Sequence, residues 1–178
     1  MIPTPQPGRL DIAILGTRGI PANYGGFETF AEELATRLVR RGHRVTVYGR
    51  SHFIPPSLKE YRGVTIRVLP CIRHKYLDTV SHTALSVLLA LFSSHQVLLV
   101  CNAANAFLCC LPGLAGQKVV LNVDGIERQR KKWNSLGRWF YRLSEFLSTV
   151  LPDQVIADAR VIGEYYEQEY GFRSRFIP

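Results

Sequence analysis

The sequence predicts an α/β domain with a doubly wound parallel sheet at its centre. Two patterns carry that prediction. β-Branched apolar runs recur along the chain, with amphipathic helical segments between most of them. Most of these runs are also continuous rather than alternating, as expected of strands covered on both faces. The length, 178 residues, allows a single domain. A chain of this size buries roughly 70% of its unfolded surface, enough for a core without disulfide staples.

The strands are expected at Asp11–Leu15, Arg44–Tyr48, Val64–Leu69, Gln96–Cys101, Lys118–Val123, Gln154–Ala157 and Arg175–Ile177. The first helix follows from Phe27, Phe30, Ala31, Leu34, Ala35, Leu38 and Val39, which recur at helical spacing until Gly42 ends the pattern. A second helix is expected over Thr79–Phe92 and a short one over Ala106–Leu111. A long one runs over Ser135–Val150, with Leu136, Trp139, Phe140, Leu143, Phe146, Leu147 and Val150 as its core face and Pro152 as its stop. The last starts near Ala159 and ends before Gly171. There is no internal repeat, low-complexity tract or linker, so residues 1–178 read as one domain.

Composition narrows the class. Apolar residues make up 47% and charged residues 20%, which excludes a disordered tail, a coiled coil and a collagen-like repeat. The net charge is +8. Six basic residues and one acidic between Glu127 and Arg142 supply five of those charges, so one patch is basic rather than the whole protein. Cys71, Cys101, Cys109 and Cys110 have neither metal-ligand spacing nor the density of a secreted disulfide framework, and are expected as reduced thiols. His43, His52, His74, His82 and His95 show no paired spacing, so no metal site is expected. The N-terminus lacks a signal-peptide pattern. The most apolar stretch, Ala84–Cys101, is broken by Ser93-Ser94-His95-Gln96. The expectation is a cytosolic chain.

In such sheets ligands bind beyond the carboxyl ends of the strands. That directs attention to the loops Gly16–Gly26, Gly49–Gly63, Asn102–Asn105 and Asp124–Asn134. The first has eleven residues, long for a connection that usually takes about 2–6. Gly16 and Arg18 open it. Gly25 and Gly26 would let a phosphate or sugar hydroxyl approach the helix start, and Glu28 would offset the helix dipole or accept a hydroxyl. The loop is neither a Walker A motif nor Gly-x-Gly-x-x-Gly.

The second strand ends in Tyr48-Gly49-Arg50 where a dinucleotide site wants an acidic residue. Arg50 leaves an NADP-dependent oxidoreductase open as an alternative. Asp124, with Glu127 close by, follows a strand end and is a candidate ligand contact, or a turn-forming Asp-Gly pair. Asn102 and Asn105 also follow a strand, and Asn105 either caps the short helix or touches ligand. The patch Arg128, Arg130, Lys131 and Lys132, with Arg138, Arg142 and several aromatics, fits a solvated face or a surface for anionic lipid headgroups. Nucleic acid is disfavoured because no recognised module accompanies the patch. A non-enzymatic subunit that recruits an enzyme to membranes is a further alternative.

The segment Ile14-Leu15-Gly16-Thr17-Arg18-Gly19-Ile20-Pro21-Ala22-Asn23-Tyr24-Gly25-Gly26-Phe27-Glu28-Thr29-Phe30 resembles the opening of bacterial glycosyltransferases of group 1 (family 4). It is nearest to the branch with rhamnosyltransferases of capsule and exopolysaccharide assembly. Asn122-Val123-Asp124-Gly125-Ile126-Glu127 with Arg130-Lys131-Lys132-Trp133 resembles a second block. Ile156-Ala157-Asp158 with Tyr165-Tyr166 and Phe176-Ile177-Pro178 resembles a third.

The resemblance implies the N-terminal, acceptor-side Rossmann-like half of a GT-B enzyme, with a donor-binding C-terminal domain as its missing partner. It places Gly25 and Gly26 near the donor phosphates and Asp124, where many relatives carry His, near the transferred sugar. The family's donor-gripping glutamate pair does not occur in this sequence. The implied substrates are a nucleotide-diphosphate sugar, which is a donor rather than a cofactor, and a lipid-linked saccharide at the inner membrane face. No metal is implied.

Overall fold

A computed structural model describes residues 8–23, 25–74, 77–123, 125 and 135–177. The strands belong to one mostly parallel sheet of eight, so the expected Rossmann-like α/β class is the observed one. The chain divides into two compact units, Met1–Leu98 and Leu99–Pro178.

In the first unit, β1 (Asp11–Leu15), β2 (Arg44–Arg50), β3 (Glu60–Tyr61) and β4 (Val64–Leu69) lie in the order β3-β4-β2-β1. β1 pairs β2 in parallel with Ile12 opposite Val45, and β2 pairs β4 in parallel with Val47 opposite Ile66. Every residue of β1 is buried, as its apolar run requires. β3 was not anticipated. It is two residues long and pairs antiparallel with β4 through an Arg62-Gly63 turn whose two φ angles, 50° and 80°, are both positive. That is the twist a two-residue hairpin needs, but Arg in its first position is a weak sequence signal.

Helices α1 (Gly26–Arg40) and α2 (Asp78–Leu91) start and end within a residue or two of expectation. β5 (Val97–Cys101) crosses the boundary between the units.

The second unit carries β6 (Lys118–Val123), β7 (Gln154–Ala157) and β8 (Arg175–Phe176), paired in parallel in that order. The short helix expected at Ala106–Leu111 is instead a 3-10 helix, Ala103–Cys109, running into α3 (Cys110–Leu114). Then come α4 (Ser135–Val150) and α5 (Arg160–Tyr170).

The orientation of α4 corrects the expected core face. Trp139, Leu143, Phe146 and Val150 are exposed, Trp139 by 63%, whereas Tyr141, Ser144, Glu145 and Ser148 are buried. Both sets recur at helical spacing, so periodicity alone does not choose between them. The polar set wins because α5 satisfies it. Tyr165 and Tyr170 donate their hydroxyls to Glu145 Oε2 at 2.9 and 2.8 Å, and Ser148 Oγ lies 3.2 Å from the Tyr166 hydroxyl. Burial and the Glu145 carboxylate push the Tyr170 phenol above its ordinary range. Buried polar groups held by specific hydrogen bonds favour one packing arrangement.

All four cysteines are free thiols, with Cys101 and Cys109 buried and Cys71 and Cys110 partly so. Burial pushes the Cys109 thiol up to about 12. Among the described residues no helix is long and apolar enough to cross a membrane.

The start of β1 is anchored by Asp11. Its Oδ1 lies 2.8 Å from His95 Nδ1, and its Oδ2 accepts from Ser94 Oγ at 2.8 Å and Arg44 Nη2 at 2.9 Å. Burial pulls its pKa upward. The hydrogen bonds from His95 and Ser94, with the charges of His95 and Arg44, outweigh that and hold it below its ordinary 3.8. A carboxyl depressed in the fold stabilises above its unfolded pKa and stops doing so as pH falls through the folded one. Asp11→Asn should therefore cost about 2 kcal/mol at neutral pH. In urea titrations across a pH series, the gap to wild type should narrow below pH 3.8. A gap that does not change with pH would exclude an ionised Asp11 as the anchor.

Candidate functional site

In the first unit the long loop after β1 is held against the start of α1 by two carboxylates. Glu28 Oε1 accepts the Arg18 N–H at 3.1 Å, and Glu32 Oε2 accepts the Ala22 N–H at 2.7 Å. Residues four apart share one helix face, so one side of α1 presents both acceptors to the loop. Glu32 Oε1 is itself held by the Tyr61 hydroxyl and Arg62 Nη1 at 3.0 and 3.1 Å. Glu28, expected to offset the helix dipole or accept a hydroxyl, does lie in the first turn of α1, where it is buried and braces the loop. Neither Glu32 nor this bracing was anticipated, although the spacing of Glu28 and Glu32 was readable.

The turn itself is tight. Gly16 and Gly19 have φ of 87° and 108°, Thr17 Oγ1 accepts the Gly19 N–H at 3.1 Å, and the Ile20–Pro21 bond is cis. Gly19 lies directly on β2. A Cβ there would fall 2.7 Å from Gly49 Cα and 2.7 Å from Ile54 Cγ1.

Gly25 and Gly26 stand at the start of α1. Gly25 is extended, with φ 177°, and Gly26 is not among the positive-φ residues, so neither is required by its backbone angle. A Cβ on Gly26 meets open space, and one on Gly25 meets only the end of Glu28. Among the described residues no side chain caps α1. An anion at that end would meet the N–H donors of the first turn and the favourable end of the helix dipole. Arg18, half-exposed, holds its guanidinium 4.8 Å over the Phe53 ring.

Arg50 is not available to a cofactor phosphate. It is 5% exposed, with Nη1 2.6 Å from Asp78 Oδ2 and Nη2 3.1 Å from Thr79 Oγ1 and 3.4 Å from the Gly16 carbonyl oxygen. This removes the residue on which the NADP alternative rested. Asp78 also accepts from the Cys71 thiol at 2.8 Å and lies 3.6 Å from His52. Burial pulls its carboxyl upward, but Cys71, Arg50 and His52 together hold it below the ordinary range. Fully buried His82 stands on α2 beside the Gly49 backbone. Burial, with the Arg50 charge adding to it, pushes it down to about 4, so its ring is neutral at ordinary pH.

In the second unit Asn102, with φ 77°, caps the 3-10 helix through Oδ1, which accepts the Ala104 N–H at 2.9 Å. Asn105, expected as either cap or ligand contact, does not cap the helix. It is fully buried and donates Nδ2 to the Cys101 carbonyl at 2.8 Å. Nearby in sequence to Asp124, Asn122, next to last in β6, is 1% exposed with neither amide atom partnered among the described residues. Asp124, Glu127, Arg128, Arg130, Lys131 and Lys132 lie outside the described residues.

The close approach at Gly19 makes a direct test. Gly19→Ala combines a backbone clash with a disfavoured φ and should cost about 3 kcal/mol in urea denaturation. Gly26→Ala should stay within about 1 kcal/mol of wild type. Equal stability of the Gly19 variant would mean that the loop does not rest on β2.

Comparison with known proteins places this fold. Sucrose-phosphate synthase (tll1590) from Thermosynechococcus elongatus superposes with a TM-score of 0.74 at 15% identity, covering 96% of this chain and 48% of that one. Anabaena Alr3699/HepE, solved in complex with UDP and glucose, superposes at 0.65 with 16% identity, over 95% and 44% of the two chains. Phytolacca americana UGT2, solved with UDP-2fluoro-glucose and pterostilbene, superposes at 0.55 with 12% identity, over 96% and 53%. The chain thus spans about half the length of these solved proteins. A search of curated proteins by sequence gives no match. Residues 24–178 match the family described as Glycosyltransferase Family 4. On that match, which covers most of its length and sits on the fold described above, the chain belongs to glycosyltransferase family 4.

Proposed function

We propose that the chain is the acceptor-side half of a GT-B glycosyltransferase. It would act with a donor-binding C-terminal domain to move a sugar, with rhamnose the first candidate, from a nucleotide-diphosphate sugar to a lipid-linked saccharide in cell-surface polysaccharide synthesis. By itself the half would give no turnover. The observation that carries this reading is the braced, uncapped start of α1 behind the Gly16–Gly26 loop. Sugar transfer develops negative charge on the leaving diphosphate. Oriented N–H donors and a helix N-terminus stabilise that charge without reorganising.

In this scheme Gly25 and Gly26 keep the phosphate side open, and Arg18 supplies a cation. Glu28 positions the loop. Asp124 is proposed to face the transferred sugar, with Glu127 and Asn102 toward the substrates. The donor is a substrate, and the chemistry calls on no resident cofactor.

The lipid-linked acceptor is supported by α4. Its exposed stripe of Trp139, Leu143, Phe146 and Val150 is flanked by exposed Arg138 and Arg142. With Glu169 and Tyr170, Trp139, Arg142, Leu143 and Phe146 line an open groove of about 560 Å³. Arg128, Arg130, Lys131 and Lys132 immediately precede this helix in sequence. Apolar side chains beside a basic cluster suit the headgroup level of an anionic membrane. Peripheral attachment at the cytoplasmic face follows as part of the proposal.

In the full-length enzyme, Gly26→Val is expected to lower kcat/KM at least tenfold against a radiolabelled nucleotide sugar while moving the melting temperature little. Activity that falls only with the folded fraction would make the loop structural. Replacing Arg130, Lys131 and Lys132 by Gln should remove about 1 kcal/mol each from binding to anionic vesicles. That loss exceeds a hundredfold in partitioning. Raised salt should mimic it, and neutral vesicles should not discriminate. Equal co-sedimentation of wild type and variant would reduce the patch to a solvated face.

A further inference from the structure

Three side chains distant in sequence converge beside Arg50: His52 after β2, Cys71 after β4 and Asp78 at the start of α2. One ligand atom from each lies within 4.8 Å of the other two. Cys71 Sγ is 2.8 Å from Asp78 Oδ1 and 3.4 Å from His52 Nδ1, and His52 Nε2 is 3.6 Å from Asp78 Oδ1. We propose that His52, Cys71 and Asp78 form a binding site for a thiophilic divalent cation of the zinc class, separate from the sugar-transfer chemistry.

The donor set selects the metal. A sulfur, an imidazole nitrogen and one carboxylate oxygen are the ligands zinc-class ions take, whereas calcium and magnesium take oxygen. Bonds of about 2.3 Å to sulfur and about 2.0–2.1 Å to nitrogen and oxygen, arranged tetrahedrally, set ligand separations of about 3.3–3.6 Å. The present 3.4 Å between sulfur and imidazole already falls there. The 2.8 Å between sulfur and carboxylate is shorter because the thiol proton bridges them. On binding, that proton leaves to solvent, the sulfur–metal bond forms, and the two atoms separate by less than about 1 Å. Water fills the fourth position. The His52 and Asp78 side chains are 20% and 23% exposed, which leaves the ion a way in.

Arg50 is the positioning residue. It holds Asp78 Oδ2 at 2.6 Å and so leaves Oδ1 for the cation, the arrangement by which an outer hydrogen bond orients a metal-ligating carboxylate. The site also touches the loop described above. The His52 ring packs 4.1 Å from Phe53, and Phe53 lies under Arg18. Occupancy would link three segments around the base of the loop.

The test uses the 178-residue chain after dialysis against a chelator, with Co²⁺ and Zn²⁺ as probes. Co²⁺ should bind one per chain with a sulfur-to-cobalt charge-transfer band in the near ultraviolet, and Zn²⁺ should displace it and raise the melting temperature. Cys71→Ser should abolish the band, and His52→Gln should weaken Zn²⁺ binding at least tenfold. Circular dichroism of the metal-free variants, matching wild type, separates these losses from misfolding. Absence of the band in wild type, or its persistence in Cys71→Ser, would overturn the proposal. So would a His52→Gln affinity equal to wild type.

Discussion

The first unit turns on one buried ion pair. Arg50 sits at the end of β2, where a strand covered on both faces delivers its side chain into a region with little water. A buried guanidinium without a counter-charge would cost several kcal/mol, so the position is tenable only because Asp78 stands 2.6 Å away at the start of α2. The pair also fixes geometry. Arg50 reaches the Gly16 carbonyl with its side chain and the Arg18 carbonyl with its own N–H, at 3.4 and 3.0 Å. β1, β2 and α2 are thereby tied at the end of the sheet where the long loop begins.

The loop depends on that support and adds its own. Glu28 and Glu32 take two of its N–H groups, and Gly19 gives up a side chain so that the backbone can rest on Gly49. The outcome is a braced loop beside a helix start that no side chain caps among the described residues. Acidic residues in the first turns of α1 thus hold the loop in place. The backbone at Gly26 is left open.

The second unit shows the same principle with the opposite polarity. Burying Glu145 in α4 is acceptable because two tyrosines of α5 donate to one of its oxygens. Choosing that face for the interior forces Trp139, Leu143, Phe146 and Val150 outward. An exposed apolar stripe on a helix that follows a basic run is consistent with a lipid-facing role, and it exists because a polar network occupies the core.

Much of this was legible in the sequence. Continuous β-branched runs located every strand but β3, since covered parallel strands need apolar residues on both faces. The helical periods located the helices to within a residue or two, the 3-10 segment and α3 excepted. The opening block from Ile14 to Phe30 pointed to the family that the match over residues 24–178 bears out. Local patterns report local conformation, and those parts follow from spacing alone. What a side chain meets across the fold does not. His52, Cys71 and Asp78 have no metal-ligand spacing, yet they meet because three different elements end at one place. Arg50 resembled a free cation and is an internal one. Asn105, read as cap or ligand contact, does not cap and is core. Glu28, read as offsetting the helix dipole or accepting a hydroxyl, also holds the loop. α4 carries two stripes of equal period, and partners elsewhere in the unit, the 3-10 helix and the tyrosines of α5, decide which is buried. Tertiary structure decided these points because pairing and burial depend on partners far along the chain, and only the folded backbone brings those partners within a few ångströms.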